Sequence, residues 1–176
     1  MEGSSMSTPT LPSLEEALPS GGWTLYFHPA KEQRWHIDTF KVVTTVRTWK
    51  DLAHMFLAIS ANDWIRGKFF FCPEAIPPLM ENSKNIRGGS YSLRIDRVAA
   101  GEIMPKYLIA AVLGKALTTT GDLISCVRIT PRRDFNILQI WNRDSQKYNS
   151  PEGLLLIDPA IPAGEAKYVP HVEKKI

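Results

Sequence analysis

At 176 residues with 44% hydrophobic side chains, the chain is sized for one domain with a substantial core and is short for two. A formal net charge of +3 fits a phosphate-bearing partner but falls far short of an arm that coats duplex nucleic acid. Cys72 and Cys126 have no metal spacing, no apolar N-terminal run resembles a signal peptide and no stretch approaches membrane-spanning length, which predicts a soluble, reduced, intracellular protein with no membrane partner.

Residues 1–22 are rich in Ser, Thr, Pro and Gly with only scattered apolar points at Leu11, Leu14 and Leu18, so they are expected to form a mobile tail. The folded domain is expected over 23–157, with an irregular tail over 158–176. Trp23 to His28 reads as a strand from its aromatic and β-branched content, followed by a polar turn before Trp35 and a second strand from Thr39 to Arg47. Leu52, Met55, Phe56 and Ile59 fall on one helical face, with Thr48 placed to cap that helix and Asp51 in its first turn. Ile65 to Cys72 and Ser90 to Ile95 predict strands that flank a proline-containing loop, and Gly88-Gly89 offers a tight reversal before the second of them. Met104 to Leu117 carries a second amphipathic pattern through Tyr107, Leu108, Ala111, Val112 and Lys115, with Pro105 in its first turn. Leu123 to Ile129 and Phe135 to Trp141 predict a hairpin with Arg132 and Arg133 at its tip, and Pro151 to Ile157 allows a short helical turn.

Strands interrupted by single helices, without strict βαβ alternation, predict an α+β fold: one domain, a curved and mainly antiparallel sheet, helices on the convex face and a ligand slot on the open concave face. Catalytic signals are absent. The sequence has no phosphate-cradling loop ending in Lys-Ser/Thr, no Gly-x-Ser-x-Gly elbow and no paired His/Glu metal spacing. His28, His36, His54 and His171 are scattered, and neither cysteine has a basic neighbour that would activate it. A binding protein with no catalytic residue, metal or cofactor is therefore expected. The residues that stand out lie in loops or at strand ends: Trp35 after a charged turn, Glu81 among prolines, Arg132, Arg133 and Trp141, whereas Trp23 and Trp49 read as core.

Trp23-x-Leu25-Tyr26-Phe27, Trp35, Thr48-x-x-Asp51-Leu52, Ile76-x-Pro78-Leu79-Met80-Glu81-Asn82-x-Lys84-Asn85-x-Arg87-Gly88-Gly89 and the late Arg132 with Asn136-x-x-x-Ile140-Trp141 resemble the messenger-RNA cap-binding translation initiation factor 4E family over roughly Leu18 to Asp144. The resemblance implies a curved sheet cupping 7-methylguanosine triphosphate, with three helices behind. Methylation at N7 makes the guanine cationic, so an aromatic face attracts it by ~0.5–2 kcal/mol. Trp35 matches the first stacking tryptophan of the family, Glu81 the acid that takes both donors of the guanine edge, and Trp141 the tryptophan near the methyl group. Arg132 matches the phosphate arginine, with Arg133 beside it.

The departures are equally specific. Met80 stands where the family has a second stacking tryptophan, and a thioether lacks the ring quadrupole that holds a cation. Ile137 replaces a phosphate lysine, leaving Arg133, Arg143 or Lys147 to substitute, and Ser90 replaces an arginine. On the helical face, the resemblance implies docking of a 4G-type scaffold factor or a 4E-binding protein around Pro19, Val46, Trp49, Ala53, Leu108, Ile109 and Val112. There Ala53 replaces a tryptophan and Ile109 a glutamate. The expected function is to bind the capped 5′ end of messenger RNA and recruit such a partner for translation initiation, in the cytoplasm and the nucleus, as a divergent, protist-type paralogue. The alternative is a weak or unusual cap binder that represses translation through its helical face. A cap or nucleotide hydrolase is disfavoured, since Glu81 has no companion acids for a divalent metal.

Overall fold

The structure, a computed structural model, describes residues 11–114, 117–159, 161 and 164–172. Seven strands form one antiparallel sheet: β1 (Trp23–Pro29), β2 (Lys41–Val46), β3 (Gly67–Pro73), β4 (Gly89–Asp96), β5 (Ile124–Pro131), β6 (Phe135–Asn142) and β7 (Lys167–Pro170), in the order β2-β1-β3-β5-β6-β4-β7. Helices α1 (Trp49–Ala58) and α2 (Ala100–Val112) are the two α-helices among the described residues.

Period-two alternation sorts the strand side chains into two layers. Phe69 and Phe71, Val127 and Ile129, Leu138 and Ile140, and Tyr91, Leu93 and Ile95 enter one core with Leu52 and Met55 of α1 and Ile103, Met104, Tyr107 and Leu108 of α2. Phe70, Cys72, Cys126 and Trp141 point the other way and join Phe40 in a smaller cluster, against which Tyr26, Leu79 and Met80 pack. Trp23 is core as expected, stacked on Phe71 with centroids 5.0 Å apart, and Trp49 is half-buried against the same core. Cys72 and Cys126 are both fully buried, and burial pushes the Cys72 thiol up.

Helix α1 begins as its residues dictate. Thr48 Oγ1 accepts from Asp51 N at 3.1 Å, and Asp51 Oδ2 accepts from Thr48 N at 3.0 Å, a capping box; the Arg47 amide, donating to Asp51 Oδ2 at 2.9 Å, and then the Thr48 amide hold the Asp51 carboxyl below its usual range. Helix α2 differs from the expected span. It starts at Ala100, so Pro105 lies inside the helix, and it stops at Val112 because Gly114 turns left-handed at φ +80°; Lys115 lies outside the described residues.

The N-terminal segment also departs from a free tail, although residues 1–10 lie outside the described chain. Leu18 is only 3% exposed, its amide bonds to Arg47 O, and Glu16 O and Leu14 O accept from the first amides of α1, Trp49 N and Lys50 N. Unsatisfied first-turn N–H groups give that segment something to bind. The C-terminal segment likewise contributes β7, where four residues pair with β4. Gly88 and Gly89 are required for close approach and not for a reversal: neither has positive φ, and a Cβ on Gly88 would fall 1.8 Å from Asn142 O.

Candidate functional site

On the open face the sheet register stacks side chains into cross-strand rows. One row contains Thr24 opposite Cys72, then Cys126 opposite Trp141 and Trp141 opposite Ser90. The next runs unbroken through Tyr26, Phe70, Arg128, Gln139 and Ser92. A third begins with His28 opposite Lys68 and ends with Thr130, Ile137 and Arg94 on β5, β6 and β4.

Over the first two rows lies a slot of about 190 Å³ lined by Trp35, Pro78, Leu79, Met80, Glu81, Arg128 and Trp141. Trp35 comes from the loop after β1 and is 44% exposed. Its indole is parallel to the buried His28 ring, with centroids 4.6 Å apart and 6° between planes, and His28 is held by Arg34 O at 3.0 Å from Nε2. One indole face is thus backed by a fixed imidazole. Trp141 forms the buried floor, edge-on to Phe70, and its Nε1 has no hydrogen-bond partner. Met80 and Glu81 come from the β3–β4 loop, which the buried Asn85 staples internally: its Nδ2 donates to Leu79 O at 2.7 Å and Pro77 O at 3.0 Å. Glu81 itself is exposed, a carboxylate presented at the mouth of the slot.

The loop is anchored from the far end of the chain. His171 Nδ1 lies 2.7 Å from Asn85 O and Nε2 lies 2.9 Å from Ser90 Oγ, while the ring meets Trp141 edge-on at 5.0 Å. A carbonyl can only accept, so Nδ1 carries the proton and, in the neutral ring, Nε2 accepts from Ser90. Burial lowers the His171 pKa and favours that neutral form.

The rim is cationic. Lys68 Nζ lies 4.7 Å from the Trp35 centroid; the Arg128 guanidinium lies 5.2 Å from Trp35 and 4.8 Å from Phe70. Burial first, and then neighbouring positive charge including Arg132, lowers both pKa values, that of Arg128 to about 10. No described carboxylate forms a salt bridge with either, and Arg128 Nε has no partner. An aromatic wall, an exposed acid and a desolvated positive rim together suit a planar base carrying an anionic tail.

Of the residues expected for the base, Trp35, Met80, Glu81 and Trp141 all line this slot. Arg132 and Arg133 are exposed at the β5–β6 tip, where Arg97 donates to both of their carbonyls, and only Arg132 is felt by the rim cations. Arg143 and Lys147 are not brought to the slot. Arg143 lines a separate cavity of about 650 Å³ with Arg87 and Asp144, and Lys147 lies in the turn beyond, over Tyr148. Arg128, which the sequence motifs do not single out, lines the slot instead. Its signal was the alternation Cys126, Arg128, Thr130, which puts a charge on a strand face opposite Val127 and Ile129. His28 and His171 were also missed, since only the fold brings them beside the two tryptophans.

The helical face needs a correction as well. Val46, Leu108 and Val112 are fully buried in the core and offer no docking surface; α2 is covered on more than one stripe, with Ser20 Oγ bonded to Val112 O and Lys106 paired with Asp158. Pro19 and Ile109 remain exposed, with Trp49 and Ala53 half-buried. Among the described residues no group of three His, Cys, Asp or Glu side chains could hold a metal, and no helix is long and apolar enough to cross a membrane.

The family model for eukaryotic initiation factor 4E matches residues 20–155. The chain belongs to the eukaryotic initiation factor 4E family. This member is 24% identical over 127 residues to eukaryotic translation initiation factor 4E-2 of Schizosaccharomyces pombe, covering 69% of the chain and 52% of that protein. The chain spans about half the length of the curated relatives it matches. Among solved structures, it is similar to Ascaris suum eIF4E-3 with the m7G cap, at TM-score 0.60 and 22% identity over 74% of this chain and 75% of that one. It is also similar to Caenorhabditis elegans eIF4E-3 in complex with the 4E-binding protein Mextli and cap analog, at TM-score 0.65 and 19% identity over 88% of this chain and 92% of that one. At such identities the structural likeness shows the shared α+β fold.

Proposed function

We propose that this family member binds the 7-methylguanosine cap of messenger RNA in the slot on its open face and recruits a partner protein through its helical face. One observation carries the reading: Trp35, Met80, Glu81 and Trp141 converge on one slot whose rim is Lys68, Arg128 and Arg132. Trp35 stacks the cationic base, Glu81 accepts from N1–H and the exocyclic amine, and the rim takes the phosphates. A cavity of about 190 Å³ is small beside the roughly 300–1,000 Å³ of sites that enclose whole ligands, which suits a pocket for the base with phosphates lying outside. The same module is found in relatives crystallised with m7G cap and with Mextli, which supports both halves of the proposal. Pro19, Trp49, Ala53 and Ile109 form the accessible part of the partner face, and cap binding puts the protein in the cytoplasm and, with nascent transcripts, in the nucleus.

Titration with 7-methylguanosine triphosphate should quench tryptophan fluorescence, whereas GTP should do so far less; equal responses would defeat the proposal. Glu81→Gln removes charge-assisted bonds worth about 1.5–3 kcal/mol, so affinity should fall roughly 10- to 150-fold without loss of stability. The second reading, a weak cap binder that competes for translation partners, is favoured by Met80 in the wall. Retention on cap resin only at low salt, with full partner binding, would select it.

A further inference from the structure

The cationic surface does not stop at the slot. β4 sends Tyr91, Leu93 and Ile95 into the core and so places Ser92 and Arg94 on the open face. Arg94 is exposed and stands directly opposite Ile137, which is itself opposite Thr130 of β5. Its guanidinium carbon lies 4.1 Å from the Phe135 ring centroid, and no described carboxylate forms a salt bridge with it. Two strand spacings of about 4.8 Å and a two-residue offset along the strand put the start of this side chain roughly 12 Å from the Arg128 backbone. Between them the floor is Gln139, whose Nε2 donates to Ser92 Oγ, and the apolar Ile137. A chain leaving the Lys68, Arg128 and Arg132 rim toward β4 therefore meets its next cation at Arg94.

Resting on the cap reading, we infer that Arg94 and Phe135 form a subsite for the nucleotide joined to the cap, in a messenger that continues past the triphosphate. The guanidinium is planar, already laid on an aromatic ring and in no salt bridge with a described carboxylate, Asp96 standing opposite Phe135, so it can pair with a phosphodiester while the guanidinium and phenyl planes stack a base of any identity. This gives affinity for RNA length without sequence preference. It also relocates to β4 the positive charge that β6 lacks at Ile137.

The test is a competition titration on the full chain with 7-methylguanosine triphosphate and with a short capped oligoribonucleotide. Wild-type protein should bind the oligonucleotide about tenfold more tightly, the scale of one added stacking contact. Arg94→Ala and, separately, Phe135→Leu should remove that gain while leaving the triphosphate affinity within about twofold. For Arg94→Ala the salt slope of oligonucleotide binding should drop by about 0.7, one phosphate contact on a single strand. Three results overturn the inference: no gain from added nucleotides in wild type, a gain that survives Arg94→Ala, or an equal loss for both ligands, which would make Arg94 a triphosphate ligand. Failure of the cap reading is visible separately, as wild-type protein that does not prefer the methylated triphosphate to GTP, and it would remove the subsite too.

Discussion

The two faces of the same sheet are built from the same strands and do opposite things. On the helical side, Val127, Ile129, Leu138 and Ile140 are fully buried and packed into a continuous apolar core. One residue over, Arg128, Thr130, Gln139 and Trp141 face the open side, and Arg128 Nε, Thr130 Oγ1 and Trp141 Nε1 are buried atoms with no protein partner. Leaving such groups unpaired costs about 1–3 kcal/mol each, and the helical side carries unpaired buried atoms of its own at Tyr107 Oη and Asn136 Oδ1. The difference lies in what surrounds those groups: Arg128 and Trp141 line an open slot, whereas Tyr107 and Asn136 are closed in by packed residues.

Substitutions can break that comparison, and the largest effect belongs to the packed side. Leu138→Ala should destabilise the protein by about 2–5 kcal/mol, seen as a lower urea midpoint, while the folded fraction binds cap analogue normally. A loss of cap affinity in that folded fraction would mean the two faces are mechanically coupled. Met80→Trp on the open side should leave stability nearly unchanged and tighten 7-methylguanosine triphosphate by about 0.5–2 kcal/mol through a second cation–π face. No gain would mean that Met80 lines the slot without covering the base.

The smallest effect concerns the His171 anchor that joins the C-terminal segment to the slot. Burial depresses its pKa, so the unfolded chain takes the proton first as pH falls. The neutral ring's contribution is complete above the unfolded value of about 6.5 and is lost as pH falls from there through the folded pKa. Stability should therefore decline below that pH by at most about 1.4 kcal/mol per unit from this one group, and His171→Phe should flatten the decline. An unchanged pH profile in the variant would show that another group titrates.

Much of this molecule was readable locally. Thr48 and Asp51 announced the start of α1 because a capping box needs only residues three apart. Tyr91, Leu93 and Ile95 announced β4 because period-two burial is a property of one strand. Trp35, Met80, Glu81 and Trp141 were found through motif resemblance, which carries tertiary information that the pattern alone does not hold.

What failed in the reading was non-local. The N-terminal segment is too poor in apolar residues to order itself and the C-terminal segment has no clear period, yet Leu18 and β7 are docked because another part of the chain supplies the surface or the hydrogen bonds. The resemblance offers Arg133, Arg143 or Lys147 in place of the lysine missing at Ile137 and passes over Arg128, which the register places beside the slot by setting 126 opposite 141 and 128 opposite 139. Linear sequence determined the first six strands, the first helix and the class of chemistry, since these follow from side-chain period and type. Only the tertiary structure decided that Arg128 reaches the slot, that His28 and His171 stand beside its two tryptophans, and that Arg94 lies across from Ile137. Those contacts depend on strand order, and strand order is set by the collective burial of one face.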